Sequence, residues 1–357
     1  MKFFNLDLHV AIIQDVEKIF KDLGHEVVSW NMSNTCEYFG IKQHINQIIC
    51  QSNFRQLNYQ MVEHFQHCYY DDLKNFDGFI CCYPPSFSLL YDIFDKPIII
   101  QNATRYEEPF TFFSKKWKYF NQFIKNCDLL KLVCNNKMDV EYASQYTGRK
   151  WDFITSLCEY VEESYQPEFD KILFLKTNVG HPDINHEKIE NLSKFDSRKD
   201  LVKYKGIVYI PYNVSEMKIF EFYQMNIPLF IPSFEFMIKL WRENQYLALH
   251  NLSFLRALND YYGNPNLCGT DPSLLPSNVE YDLNDWKSEE STRYWTQFAD
   301  YYQKDVMPHI IHFNSFEHLF DLINTVDYED VSEKMKDFNK KRKFVTYQQW
   351  ERVLKGL

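Results

Sequence analysis

Residues 206–233 read GIVYIPYNVSEMKIFEFYQMNIPLFIPS and contain a short apolar run, a polar turn, a helical pattern and a second apolar run. The apolar runs 206–210 and 227–231 have the length of buried strands, and 215–224 has helical spacing. A strand, a helix and a returning strand form the repeating unit of a parallel sheet covered by helices. This stretch therefore predicts an α/β fold.

The same alternation continues on both sides of this stretch. Further strands are predicted at 2–5, 26–30, 76–83, 96–101, 130–134, 152–154, 171–175 and 309–313. Helices are predicted at 10–23, 41–73, 234–241, 295–302, 316–323 and 331–357, and 259–290 is interpreted as a loop. Asp7 is the expected cap of the first helix and Gly24 its expected end.

A polar, acidic stretch from Glu159 to Asp170 separates two such series of elements and is interpreted as a linker. The chain has 357 residues, enough for two domains. We therefore expect a Rossmann-like domain at 1–160, a second one at 168–330, and a long helix at 331–357 that packs back on the first domain. The predicted fold class is α/β, with two Rossmann-like domains facing each other across a cleft.

The composition limits the partners of the protein. A formal net charge of −10 argues against nucleic-acid binding, and the basic run 340–343 is interpreted as an exposed helix face. The nine cysteines lack CxxC pairing, which favours reduced thiols, and no apolar run has the length of a signal peptide or a membrane span. The sequence predicts a cytoplasmic protein without a transmembrane segment, and it leaves the oligomeric state open.

Polar residues follow several predicted strands, where ligands bind in open α/β sheets. They are Asp7 and His9 after the first strand, Tyr83 after the third, and Arg105, Tyr106 and Glu107 after the fourth. An arginine suits phosphate or carboxylate because it offers a rigid fork of donors. The alternative is an ion pair of Arg105 with Glu107 or Glu108.

His9 lies near the start of the first predicted helix. A helix start disfavours an imidazolium, so a neutral histidine there can act as a base. The alternative is a polar residue with a local hydrogen bond. The other histidines show no HExxH spacing, so no metal site is expected.

In the second half, Ser215 is the expected N-cap of the helix 215–224, with Glu216 next to it. A helix N-terminus offers free N–H groups to a diphosphate. Glu221 falls within the first two turns of that helix. This helix start is the most specific candidate site in the sequence.

The stretch resembles the family-4-like donor segment of GT-B glycosyltransferases, where two acidic residues eight positions apart bracket a helix start. Glu221 matches the second acid, which in that family contacts the ribose; Asn213 stands where the first, sugar-contacting acid is expected. Lys176 resembles the basic position that contacts phosphate. The resemblance covers nearly the whole chain in layout and about twenty residues in detail.

The resemblance implies a nucleotide-sugar co-substrate, a glycan or other hydroxyl acceptor, and neither a metal nor a cofactor. It places the donor in the second half, on Lys176, Asn213, Ser215, Glu216 and Glu221. It places the acceptor in the first half, where the candidate contacts are Asp7, Tyr83, Arg105 and Tyr106. The candidate catalytic residues are His9 and Glu107; a retaining reaction would need neither as a base.

Two other functions stay open on the sequence. A non-catalytic protein with a degenerate GT-B core is suggested by Asn213 and by the lack of a Gly-rich loop after the first strand. A nucleotide-sugar epimerase fits the same two-domain plan. A dinucleotide-dependent dehydrogenase is poorly supported, because no GxGxxG follows a predicted strand.

Overall fold

A computed structural model describes residues 1–110, 114–176, 184–195, 197–244 and 288–357. Contacts between residues divide the chain into two compact units. Of the described residues, those up to Ser156 and those from Thr346 to Leu357 form unit 1. Those from Leu157 to Val345 form unit 2.

Unit 1 is built on a six-stranded parallel sheet in the order β2-β1-β3-β4-β5-β6. Its strands are β1 (Lys2–Asp7), β2 (Glu26–Asn31), β3 (Gly78–Cys81), β4 (Ile98–Asn102), β5 (Leu130–Cys134) and β6 (Asp152–Phe153). Its helices are α1 (Val10–Asp22), α2 (Tyr59–Leu73), α3 (Ser114–Asn126) and α4 (Lys137–Thr147).

Unit 2 is built on a five-stranded parallel sheet in the order β8-β7-β9-β10-β11. Its strands are β7 (Phe169–Leu175), β8 (Ile189–Leu192), β9 (Tyr204–Val208), β10 (Leu229–Pro232) and β11 (Ile311–Phe313). Its helices are α5 (Arg198–Leu201), α6 (Met217–Gln224), α7 (Phe234–Asn244), α8 (Glu289–Thr296) and α9 (Phe316–Thr325). A last helix, α10 (Tyr328–Lys355), begins in unit 2, and its residues from Thr346 onward belong to unit 1.

The two sheets share one strand order. In each, the first strand lies between the second and the third, so the direction of winding reverses between β1 and β3 and again between β7 and β9. The central strands are apolar and buried, as shown by Phe4 and Ile99 in unit 1 and by Leu173 and Phe230 in unit 2. Parallel strands covered on both faces bury nearly every side chain, which explains their continuous apolar runs.

A glycine occupies a corresponding place in each third strand. A Cβ on Gly78 would lie 2.9 Å from the carbonyl oxygen of Pro97, and a Cβ on Gly206 would lie 3.0 Å from that of Pro228. Each proline comes just before the fourth strand of its sheet. The close approach of the third strand to the residue before the fourth therefore requires glycine in both units.

The helix predicted at 41–73 is wrong in its first half. The structure has α2 only from Tyr59 onward, because Asn58 caps it by accepting a hydrogen bond from the Met61 N–H (3.1 Å). Upstream, the Asn46 side chain accepts from the N–H groups of Ile48 and Ile49 (2.8 and 2.9 Å). Such side-chain bonds to the backbone compete with a helix and hold this region in loops.

Other predictions need smaller corrections. The helix predicted at 295–302 is wrong for most of its length: α8 ends at Thr296 and a 3₁₀ turn covers Asp300–Tyr302. Helix α8 begins earlier because Ser288 caps it by accepting from the Ser291 N–H (3.2 Å). Helices α3, α4 and α5 and strand β8 are absent from the sequence prediction. Most of the loop predicted at 259–290 lies outside the described residues.

The basic run is only partly an exposed face. Lys340, Lys341 and Lys343 are exposed, but Arg342 is buried with its guanidinium 4.9 Å from the centre of the Tyr223 ring. The interpretation is correct for the lysines and wrong for Arg342. In the part of the chain that the structure describes, no helix combines the length and apolar character needed to cross a bilayer.

Substituting Gly78→Ala should lower the free energy of unfolding by about 2 kcal/mol, because the added methyl group presses on a backbone carbonyl that cannot move without shifting β4. Urea denaturation measures the effect. Gly356→Ala is the matched control: its new Cβ would meet carbonyl oxygens at ordinary contact distances of 3.4 and 3.5 Å. Equal stability of the two variants would contradict the close approach at Gly78.

Candidate functional site

Asp7 joins the carboxyl ends of β1 and β3, where the winding of the unit 1 sheet reverses. Its carboxylate accepts hydrogen bonds from the backbone N–H groups of His9 (2.5 Å), Cys82 (3.1 Å) and Tyr83 (2.8 Å). The side chain is fully buried, and burial raises its pKa from 3.8 to about 7 against the opposing effect of these bonds. The carboxyl group therefore holds the two strand ends together.

The predicted capping role of Asp7 is wrong. Helix α1 begins at Val10, and His9 occupies the N-cap position. Asp7 lies two residues before the N-cap position, and its carboxylate bonds to the N–H of His9 instead of those of the first turn. Its acceptor-binding role stays a prediction, which the burial of the carboxylate does not favour.

His9 lies beside Tyr83 at this edge of the sheet. The two rings are 6.2 Å apart between centres and nearly perpendicular, and both side chains are half-buried. Burial lowers the pKa of His9 from 6.5 to about 4, so the imidazole is neutral at pH 7. The expected neutral state at the helix start is therefore found, with burial as its largest cause.

Tyr83 is linked to two residues that the sequence did not assign to the site. Its hydroxyl donates to a carboxylate oxygen of Glu108 (2.9 Å), and Arg55 lies 3.6 Å from the same oxygen. Burial raises the pKa of Glu108. Glu108 follows the singled-out Glu107 directly, but Arg55 comes from a distant loop that only the fold brings here.

Arg105 and Glu107 lie in the connection that follows β4, and their side chains are buried against residues of α4. Arg105 lies 2.9 Å from a carboxylate oxygen of Asp139 and 5.4 Å from the centre of the Tyr142 ring. Glu107 accepts a hydrogen bond from the Tyr142 hydroxyl (3.0 Å). Burial raises the pKa of Glu107 to about 8 and that of Asp139 to about 6.

The suggested ion pair of Arg105 with Glu107 or Glu108 is wrong, because Asp139 takes that place. Tyr106 is also fully buried: its hydroxyl donates to Asn121 (2.6 Å) and accepts from the Trp117 indole N–H (2.8 Å). The acceptor roles of Arg105 and Tyr106 stay predictions. Both side chains would have to leave these partners to meet a ligand.

Glu216 holds the corresponding loop in unit 2. One of its oxygens accepts from the N–H groups of Tyr212 (2.7 Å) and Asn213 (3.0 Å), and the other accepts from the Tyr209 hydroxyl (2.5 Å). Glu216 is buried, and burial raises its pKa to about 7. The carboxyl group thus fixes the loop that leaves β9 at the reversal point of the second sheet.

The structure corrects the predicted role of Ser215 and shows where Lys176 leaves the sheet. Helix α6 begins at Met217 with Glu216 at its N-cap position, so Ser215 is not the cap and lies half-buried in the loop. Lys176 directly follows β7, and the pairing of Phe174 with Val208 sets the ends of β7 and β9 side by side. Lys176 therefore leaves the sheet at the edge where the Tyr212–Ser215 loop begins.

Glu221 lies one turn further along α6 and has partners of its own. Its carboxylate accepts from the Tyr160 hydroxyl and from the Arg198 guanidinium, both at 2.7 Å. The side chain is buried. Contact with a ribose stays a prediction, and such contact would have to share or replace one of these bonds.

The histidines other than His9 form no metal centre in the described residues. Within those ranges, no group of three or more His, Cys, Asp or Glu side chains is arranged to hold a metal ion. His181 lies outside the described residues.

No protein-family model matches the sequence, and comparison with curated proteins gives no match. Among solved structures, the glycotransferase of kitacinnamycin is similar over 100% of this chain and 99% of its own, with a TM-score of 0.50 and 8% identity. A structure of MnaA with UDP from S. aureus covers 74% of this chain and 97% of its own, with a TM-score of 0.42 and 13% identity. A ugt transferase from Siraitia grosvenorii in complex with UDP covers 90% of this chain and 99% of its own, with a TM-score of 0.37 and 7% identity.

The match over the whole chain establishes the fold. The other two structures have TM-scores too low to support a conclusion. The predicted α/β class with two Rossmann-like parallel sheets is confirmed. It is the GT-B fold, in a form highly divergent in sequence. A fold by itself does not define an activity, which has to be argued from the residues at the two reversal points.

The raised pKa of Asp7 predicts how stability depends on pH. Between about pH 4 and pH 7 the native state keeps a proton on Asp7 that the unfolded chain releases. The contribution of Asp7 to the free energy of unfolding is therefore largest below this range and falls as the pH rises through it. Asp7→Asn should reduce that fall by about 1.4 kcal/mol per pH unit. Chemical denaturation from pH 5 to pH 7 measures the slope.

The control for this prediction is Asp71→Asn. Asp71 is exposed and bonded to Lys74, which lowers its pKa, so its titration ends below the measured range. An unchanged slope in Asp7→Asn would show that this carboxyl group does not carry the proton. The comparison of slopes is independent of any loss of stability that the asparagine itself causes.

Proposed function

We infer that the protein is a glycosyltransferase that moves a sugar from a nucleotide-sugar donor to a hydroxyl acceptor without a metal ion. The observation that carries this proposal is the polar site at the reversal point of each sheet, in a chain that has the GT-B fold. In α/β sheets of this kind, ligands bind outside the carboxyl ends of the strands at such points.

Unit 2 is the proposed donor side. The loop Tyr212–Ser215 follows β9 and is held from beneath by Glu216, while Lys176 follows β7 at the same edge. A lysine at this place supplies a point charge for the diphosphate. Asn213 lies in this loop, where its side-chain oxygen accepts from the Val214 N–H (2.8 Å), and it is the proposed contact for a sugar hydroxyl.

Unit 1 is the proposed acceptor side, with His9 as the base. In transfer, the bond between the sugar C1 and the diphosphate oxygen breaks, a bond from C1 to the acceptor oxygen forms, and the acceptor proton passes to a base. His9 is neutral at pH 7 and half-buried, so it has an unprotonated nitrogen to take that proton, as a weak base with a pKa of about 4. Glu107 fits less well, because its pKa of about 8 leaves it protonated and because it is fully buried.

A nucleotide-binding protein without transferase activity is the second candidate. It is favoured by the carboxylates of Glu216 and Glu221, both of which are engaged by groups of the chain itself. Nucleotide binding without turnover on any acceptor would favour this candidate over the first.

Nucleoside diphosphates provide the first test. One of UDP, TDP, GDP or ADP, at about a hundred times its Kd, should stabilise the native state by about 2.7 kcal/mol and raise Tm by several degrees. Lys176→Ala should reduce the shift strongly, because it removes the charge that faces the diphosphate. Lys171→Ala, which removes a lysine bonded to the Glu187 carbonyl, should keep it. No shift with any of the four nucleotides would refute donor binding.

Substitution of His9 tests the proposed chemistry. His9→Gln should lower kcat for sugar transfer by 10²- to 10⁴-fold, the usual contribution of a general base, while the nucleotide thermal shift stays as in the wild type. Release of nucleoside diphosphate in the presence of an acceptor panel measures kcat. His44→Gln, which alters a ring stacked on Trp30 at 4.4 Å, is the control. Full activity of His9→Gln would remove the base from the mechanism.

A further inference from the structure

Unit 1 contains a groove that is lined by none of the candidate site residues described above. Its volume is about 430 Å³, within the range of small-molecule sites. Its floor is apolar and buried, formed by Leu57, Val62, Leu89 and Phe110. Its walls carry three large apolar side chains that are exposed: Tyr59 (67%), Ile93 (46%) and Tyr119 (52%).

The groove has a cause in the fold. The connections from β1 to β2, β2 to β3, β4 to β5 and β5 to β6 each carry an α-helix of 11 to 15 residues. The connection from β3 to β4 carries 3₁₀ turns, Pro85–Leu90 and Asp92–Phe94, in place of such a helix. These short turns fill less of the helix layer, and a space lined by α2, α3 and the turns remains open.

Three of the polar side chains in the groove, Gln66, Asp92 and Lys116, are already engaged within the protein, while Lys115 is exposed. The Gln66 amide donates to Asp92 (2.7 Å) and to the Leu89 carbonyl (3.3 Å), and the Lys116 ammonium donates to the Leu57 carbonyl (2.8 Å). The surface that remains for a ligand consists mainly of apolar carbon atoms and of the rings of Tyr59 and Tyr119. Such a lining selects for aromatic or alkyl groups, whose burial is favourable in proportion to their apolar area.

The groove is connected to the site around Tyr83 by the chain itself. Arg55 and Glu108, which lie 3.6 Å apart beside the Tyr83 hydroxyl, come two residues before Leu57 and Phe110 on the groove floor. The Phe54 ring also lies 6.1 Å from the Tyr83 ring. The groove floor and the residues that contact Tyr83 are therefore close neighbours along the chain.

We propose that this groove binds the apolar part of the acceptor, an aromatic ring system or an alkyl chain, whose hydroxyl reaches the edge of the sheet at Tyr83 and His9. This inference rests on the proposed glycosyltransferase function for the role of the ligand. The binding of an apolar molecule in the groove can be tested without that function.

The test is a calorimetric titration of the full chain with 2-naphthol, a bicyclic ring with one hydroxyl, and with 1-octanol as the alkyl probe. At least one of them should bind saturably with one site per chain. Ile93→Asp should weaken that binding at least about tenfold, because it places a charge against the apolar lining. Tyr119→Ala, which removes one wall, should weaken it as well.

Ile45→Asp is the matched control, since Ile45 is 87% exposed in the same unit and outside the groove. It should bind the probe as the wild type does. Absence of saturable binding of both probes, or equal binding by Ile93→Asp and the wild type, would overturn the inference.

The nucleotide thermal shift separates this inference from the proposed function. A shift with UDP or another nucleotide, together with no binding of either probe, would overturn the apolar acceptor and leave donor binding intact. Groove-dependent binding of a probe without any nucleotide shift would support the groove and refute the glycosyltransferase. Ile93→Asp should leave the nucleotide shift unchanged, because Ile93 belongs to unit 1.

Discussion

A buried carboxyl group holds together the backbone at the reversal point of each sheet. Asp7 bonds to three backbone N–H groups in unit 1, and Glu216 bonds to two backbone N–H groups and a tyrosine hydroxyl in unit 2. Strand ends leave N–H groups without a ladder partner, and such groups are costly to bury unsatisfied. The loops that carry His9, Tyr83 and Asn213 depend on these two side chains for their shape.

The same arrangement determines where protons lie at neutral pH. Burial raises the pKa values of Asp7, Glu107 and Glu216 and lowers that of His9. Glu107, whose pKa is raised to about 8, is mostly protonated at pH 7 and is therefore a poor base. Asp7 and Glu216, with pKa values of about 7, are engaged by backbone N–H groups, so these carboxyls and the candidate base have separate roles. The sequence offered both His9 and Glu107 as candidate bases, and their surroundings distinguish them.

The repetition of one strand order in both units explains a second feature of the molecule. Each third strand passes close to the residue before the fourth, which requires Gly78 and Gly206. Beyond this frame the units differ. Unit 1 replaces one helix by short turns and so opens a groove, whereas unit 2 places Lys176 at its reversal point. Both units share one strand order, and the features in which they differ are those to which we assign acceptor and donor binding.

The sequence by itself determined the fold class, because buried parallel strands leave continuous apolar runs such as Leu130–Cys134 that need no knowledge of their partners. It also located the loops that follow these strands, and hence His9, Tyr83 and Asn213. The helix at 41–73 was misjudged because local bonds of Asn46 and Asn58 to the backbone outweigh helical spacing.

Only the tertiary structure decided which of the loop residues face outward and with what they pair. Arg105, Tyr106 and Glu107 follow a strand as a binding motif would, yet they point into the interior, where Asp139, Asn121 and Tyr142 meet them. Those partners come from other elements. Arg55 and the groove beside it likewise arise from segments that are distant in sequence, since burial and pairing are properties of the packed chain.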